Sequence, residues 1–208
     1  MNTSTQSSAP SVEAEEQARA DFYGLLSRLF AAPADAELLR GIASGPLPET
    51  RPGDEVVGDF MQAWRELVAQ AGTTDEAAAA DEYNDLFVAS GRAEISLYIG
   101  AYTARSSVDT PLVALRSWLA SRGLQRQSGV HEPEDHAAIV FEIMRYLIAE
   151  ARSGIDQQKI FFDTFLWNGG LLLCDAISEH RRAQFYRPVA RFAKSFLSVE
   201  HDAFDMGQ

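Results

Sequence analysis

Glu132-Pro133-Glu134-Asp135-His136-Ala137-Ala138-Ile139-Val140-Phe141-Glu142-Ile143-Met144-Arg145-Tyr146-Leu147-Ile148 is the stretch that decides the fold. Ile139, Val140, Ile143, Met144, Leu147 and Ile148 recur at three and four, the period of an α-helix, and little polar surface is left before Gly154. A helix so apolar on most of its faces must lie in the interior of the molecule. Pro133 pre-sets the backbone for a first helical turn, which predicts a helix opening there. Carboxylates on Glu132, Glu134 and Asp135 then fall where unpaired amides and the positive end of the helix dipole favour negative charge. His136 fits less well, because a protonated imidazole at that end needs a neighbouring carboxylate to compensate it.

The same period governs the chain on both sides. Ala18, Phe22, Leu25, Leu26 and Leu29 share one face of a helix predicted from about Val12 to Phe30, ended by Pro33. Val57, Phe60, Met61, Trp64, Leu67, Val68 and Ala71 make a second, from about Asp54 to Ala71, closed by Gly72. Thr74, Asp75 and Glu76 supply the cap and first-turn acids of a third, whose inner face carries Tyr83, Leu86 and Phe87. From Ala89 to Asp109 the pattern lapses into a long, aromatic-bearing loop. Thr110-Pro111 starts a further helix with Leu112, Leu115 and Leu119 buried, up to Gly123. Beyond Gly154, helices are predicted from about Asp156 to Trp167, from Gly169 to Ala183, and from Arg187-Pro188 onward. No repeat and no parallel-sheet pattern is present. The predicted class is all-α: one helical domain of about nine or ten helices over residues 12–205, preceded by a disordered tail at 1–11. A hinge near 123–132 would divide it into two lobes.

Composition narrows the function. The chain has 208 residues, 46% hydrophobic and 23% charged, with a formal charge of −12. Phosphate contacts need clustered Lys and Arg, so that charge excludes general nucleic-acid binding. Asp75, Glu76, Asp81, Glu82 and Asp85 make one acidic segment, which reads either as a solvated helix face or as a field that attracts a basic peptide. The single cysteine, Cys174, lies in an apolar run and fits a buried small hydrophobe in a reducing compartment. The nearest approach to a membrane span, Phe161 to Cys174, is broken by Asp163, Asn168, Gly169 and Gly170, so no stable membrane insertion is expected.

Catalytic readings find little support. His131/Asp135 and Glu132/His136 are each four apart, the spacing that places two metal ligands on one helical face, yet no other His/Cys cluster offers a third and fourth ligand. There is no Gly-x-Ser-x-Gly elbow and no phosphate-cradling loop ending in Gly-Lys-Ser/Thr. Neither a metal nor a cofactor is expected. Two alternatives stay open beside a peptide-binding role: a metal-dependent or acid/base enzyme using His136 with Asp135 or Glu132, and a helical adaptor that grips a folded partner through its acidic segment.

Glu132-Pro133-Glu134-Asp135-His136 resembles the E-P-x-D-H signature of the TorD/DmsD family of cytoplasmic chaperones. Glu82-Tyr83-Asn84-Asp85-Leu86-Phe87 is similar to that family's aromatic-x-x-Leu-Phe segment, and Leu112 to Leu119 resembles the Leu-Arg-x-Trp helix ahead of the signature. Phe161 to Trp167 and Gln184-Phe185-Tyr186-Arg187 resemble its closing helices and their Phe-Tyr-Arg turn, so the likeness runs from about Phe22 to Leu197. The resemblance implies a helical, non-catalytic, cytoplasmic chaperone. Its partner would be the precursor of a molybdoenzyme catalytic subunit, recognised through a twin-arginine leader and held back from export until the cofactor is inserted. A helical chain with a mobile hinge can swap segments, so a monomer or a domain-swapped dimer is expected.

Carried over by position, Tyr83, Leu86 and Phe87 would line the peptide groove, Leu97 and Tyr98 would face it from the loop, and Trp118 would join from the Leu-Arg-x-Trp helix. Glu132, Pro133, Asp135 and His136 would form the signature wall. Arginines pair bidentately with carboxylates, so Glu132 and Asp135 would take the two guanidinium groups while His136 orients Asp135 by a hydrogen bond. Each residue also has a plainer reading: Leu86 and Phe87 as core, Tyr98 as a loop plug, Asp135 as a cap, His136 as an interior histidine. One position departs from the family. Gly100, in Tyr98-Ile99-Gly100-Ala101-Tyr102, stands where its loop commonly has Ser.

Overall fold

The computed structural model describes residues 12–47, 55–88, 93–104, 110–125 and 132–206. Among the described residues the regular elements are all helical: α1 (Val12–Ala31), α2 (Ala36–Ala43), α3 (Glu55–Ala71), α4 (Glu76–Tyr83), α5 (Gly100–Thr103), α6 (Pro111–Ala120), α7 (Ala137–Ala149), α8 (Ile155–Phe161), α9 (Trp167–Glu179) and α10 (Tyr186–Met206). Two π-helical turns, Asn84–Val88 and Phe162–Leu166, extend α4 and join α8 to α9. The all-α class is as predicted. The tail at 1–11, His131 and most of the expected hinge lie outside the described residues.

Local chemistry accounts for several helix starts. The Asp35 carboxylate accepts from the Leu38 amide at 2.7 Å and caps α2, an element that shows no long apolar stripe in the sequence. Asp75 caps α4 in the same way through the Ala78 amide, at 2.8 Å, and Pro111 occupies the first turn of α6.

The apolar helix α7 lies along α1. Phe30 and Phe141 stack with centroids 5.7 Å apart, and Ser27 donates to the Ala138 carbonyl at 2.8 Å. On the other side of α1, Phe22 packs with Phe60 and Trp64 of α3 and with Phe192 and Phe196 of α10. One core cluster therefore joins elements from both sides of the expected hinge. Inside it, Glu200 of α10 receives both arms of Arg19 at 2.7 and 2.8 Å and the Tyr23 hydroxyl at 3.0 Å. A buried carboxylate is tolerable here because all of its partners are present.

Two sequence-based expectations are corrected. Pro133 opens a turn rather than the helix: its carbonyl accepts from the His136 amide at 3.0 Å, and α7 begins at Ala137 with His136 as its N-cap. The acids before it are consequently engaged elsewhere instead of lying in the first turn of α7. Second, the helix does not break at Gly169-Gly170. It runs on from Ile155 to Glu179, a stretch long and apolar enough by composition to cross a membrane, with Phe161, Phe162, Leu166, Leu173, Cys174 and Ile177 packed in the core. These glycines serve close approach. A Cβ on Gly169 would stand 2.5 Å from Ile99 Cγ2 and 2.9 Å from the Ile99 carbonyl, and one on Gly170 would stand 3.1 Å from Leu166 and from Leu197.

Candidate peptide-binding site

The loop before α5 and the signature turn are tied together by backbone. Ile99 N–H donates to the Asp135 carbonyl at 2.8 Å and Ala137 N–H donates to the Leu97 carbonyl at 2.7 Å, which pairs Tyr98 with His136 in a single antiparallel bridge. Two residues earlier, Ile95 N–H donates to the Leu86 carbonyl at 3.0 Å. The short run 95–99 thus links the aromatic segment on one side to the signature on the other, and Gly169 lets α5 seat against α9 behind it.

On this frame Tyr98 and Glu132 meet at the surface. The Tyr98 hydroxyl donates to Glu132 Oε2 at 2.7 Å, and its ring stands edge-on to His136 with centroids 5.4 Å apart. Tyr98 is 37% exposed, and among the described residues it is the sole aromatic on the exposed apolar surface. Its bond to Glu132, then partial burial, push the phenol up to about 12. Tyr83 lies close behind: burial first, and then the charge of Glu132, raise it to about 12, while its hydroxyl donates to the Phe30 carbonyl at 3.1 Å.

The other acids of the turn face different ways. Glu134 takes the Arg116 guanidinium of α6 at 2.8 Å. The half-buried Asp135 carboxylate turns toward α5, where the Gly100 amide bonds it. Burial raises the Asp135 carboxyl above its ordinary value, and those amide bonds only partly offset the effect. A Cβ on Gly100 would sit 2.6 Å from Asp135 Oδ2, so glycine at this position allows the close seat. His136 is 7% exposed and burial holds its pKa below the usual imidazole value. Its Nδ1 has no hydrogen-bond partner among the described residues, so the expected orienting bond to Asp135 does not form through that atom.

The remaining predicted residues stand behind this surface. Leu86 is wholly buried, Leu97 nearly so, and Phe87 packs edge-on to Tyr186 at 5.1 Å beside Tyr83. Pro133 is half-buried in the turn. Trp118 packs on Phe161 at 4.9 Å with the Arg122 guanidinium over its ring at 3.7 Å, a packing site on α6. Sequence reasoning gave no place in the site to Tyr186 of the Phe-Tyr-Arg turn or to Arg116 of the Leu-Arg-x-Trp helix, and it missed the structural part played by Glu82. The Glu82 carboxylate accepts from the amides of Gln184, Phe185 and Tyr186 at 2.8, 2.9 and 2.9 Å and caps α10 from across the chain. No local pattern marks it, since its partners lie more than a hundred positions away. Among the described residues no group of three His, Cys, Asp or Glu is placed to hold a metal ion.

The architecture has a solved counterpart. A structure titled a putative redox enzyme maturation protein from Archaeoglobus fulgidus superposes with a TM-score of 0.57, at 18% identity, covering 86% of this chain and 93% of that one. At that identity the likeness speaks for the all-helical fold. A family model described as nitrate reductase delta subunit matches residues 54–168, more than half of the chain. Chaperone protein TorD of Shewanella loihica is 27% identical, with 90% of this chain and 93% of that protein covered, and TorD of Colwellia psychrerythraea is 23% identical with 96% and 97% covered. The Tat proofreading chaperone DmsD of Salmonella paratyphi A is 27% identical over 41% of each chain. The chain belongs to this TorD/DmsD family of the nitrate reductase delta subunit type, and it is a redox-enzyme maturation chaperone rather than an enzyme.

Proposed function

We propose that this chaperone works in the cytoplasm by binding the twin-arginine leader of a molybdenum-cofactor oxidoreductase precursor, and that it holds the precursor back until the cofactor is in place. The observation that carries this reading is the exposed carboxylate of Glu132 beside the exposed ring of Tyr98, on a turn locked to the 97–99 strand-like run. A leader offers two guanidinium groups next to a modestly apolar stretch. An arginine fork matches a carboxylate, the aromatic ring takes the adjoining apolar atoms, and the net charge of −12 draws a basic segment toward the surface. Tyr83, Leu86, Phe87 and Leu97 act as the packed wall that fixes this surface. Pro133, Asp135 and His136 shape the turn that presents Glu132.

Isothermal titration of the full chain with a synthetic twin-arginine leader tests the reading, run at low and high salt with a Lys-Lys leader as control. The expected result is an affinity of about 1 μM or tighter that weakens with salt, and a clear loss with Glu132→Gln. Absence of binding at both salt concentrations refutes it. Charge reversal at Asp81 and Asp85 separates the adaptor alternative, which alone requires those side chains.

A further inference from the structure

Glu132 already carries an internal ligand. We infer that the Tyr98 hydroxyl is a latch which occupies the Glu132 carboxylate in the unliganded chaperone, so that an incoming cation must displace it, and that the displaced bond lowers the affinity for every such ligand by the same factor. The inference rests on the leader-binding reading above and adds to it a competition built into the site.

Three observations support the latch. The contact is short, at 2.7 Å, with a neutral donor on an ionised acceptor. Both side chains stand at the surface, so the phenol can swing off without opening the core. The backbone beneath is held by the paired bonds of Ile99 and Ala137, so the exchange needs only side-chain rotation.

The surrounding charges favour a cation as the replacement. Asp135 adds negative field on the same turn, burial keeps the adjacent His136 imidazole toward its neutral form, and the nearby Arg116 guanidinium is committed to Glu134. A guanidinium meets the carboxylate with two parallel N–H donors and full charge, which more than replaces one phenolic bond. An ammonium is a point charge and recovers less of that geometry. The latch therefore sets a threshold common to every ligand that takes the carboxylate, and arginine clears it further than lysine because of its own two-donor geometry.

Tyr98→Phe removes the hydroxyl and keeps the ring. Titration of wild type and Tyr98→Phe with the twin-arginine leader and its Lys-Lys version is the decisive experiment, with thermal unfolding of both proteins to verify equal folding. The variant is expected to bind the twin-arginine leader about three- to tenfold more tightly, the scale of one hydrogen bond to a charged group in a partly wet site. The Lys-Lys leader should gain by the same factor, because the bond given up is the same for both ligands. Wild type binding the leader while Tyr98→Phe binds no tighter overturns the latch and leaves the leader-binding reading standing. No binding by either protein overturns both. A readout independent of any leader is alkaline titration followed by tyrosinate absorbance: the transition lost on Tyr98→Phe should move down in Glu132→Gln, and a Tyr98 that titrates at the ordinary tyrosine value in the wild type overturns the latch.

Discussion

Replacing Glu82 by alanine removes the cap that α10 receives from a distant part of the chain. Three amides lose their acceptor at once. Gln184 is exposed and its amide can turn to water, but Phe185 and Tyr186 are buried at 1% and 0% exposure, so their amides are left unpaired. An unpaired buried donor costs about 1–2 kcal/mol, and losing a carboxylate at a helix N-terminus adds about 0.5–1 kcal/mol. With partial relief from rearrangement, the expected loss is about 2–4 kcal/mol, a large share of the stability of an ordinary domain. Urea unfolding followed by helical circular dichroism should show the midpoint falling by about 1–2 M for a slope near 2 kcal/mol/M. Glu82→Gln should fall between wild type and alanine, because one acceptor oxygen survives without the charge. Asp81→Ala, on the exposed side of the same helix, should change stability by less than about 0.5 kcal/mol. A Glu82→Ala protein as stable as Asp81→Ala would refute the reasoning.

Two further outcomes follow from the geometry around the site. Gly169→Ala should destabilise the fold by about 1–3 kcal/mol and weaken leader binding, because the new Cβ would press on Ile99 and lift α5; unchanged urea midpoint and unchanged affinity would count against this. His136 is buried with a lowered pKa, so below the unfolded value of about 6.5 the unfolded chain binds a proton more readily than the folded one, and the stability contribution of the neutral ring is lost as pH falls. The stability of wild type relative to His136→Gln should thus be constant above pH ~7 and shrink on acidification, as read from urea midpoints across pH; a flat difference down to pH ~5 would exclude it.

The helical period makes most elements legible from sequence. The stripe from Phe60 to Ala71 gives α3 within a residue, and Thr110-Pro111 gives the start of α6, which ends at Ala120, short of the expected Gly123. Short α2 is harder to see, because eight residues with one Asp cap carry too little periodicity. Gly169 and Gly170 mislead for a physical reason: glycine weakens a helix in isolation but permits contact when another backbone lies against it, and Ile99 is seventy positions away. The same logic limits the site. The signature acids can be found by pattern, whereas their three different engagements, with Tyr98, with Arg116 and with the Gly100 amide, depend on which segments fold beside them. Leu86, Phe87 and Leu97 illustrate the ambiguity of apolar residues, since spacing alone does not tell a groove from the core beneath it.

The seat of α5 on Gly169 has a consequence for how this chaperone comes into service. Ile99 is clamped between the Asp135 carbonyl and α9, and α9 in turn is held by the last long helix, so the proposed recognition surface is assembled from segments scattered over nearly the whole polypeptide. No fragment ending before α9 owns a complete copy of it. If clients bind there, competence to receive one and completion of the chaperone's own folding are one event, and mild denaturation should extinguish both in a single step.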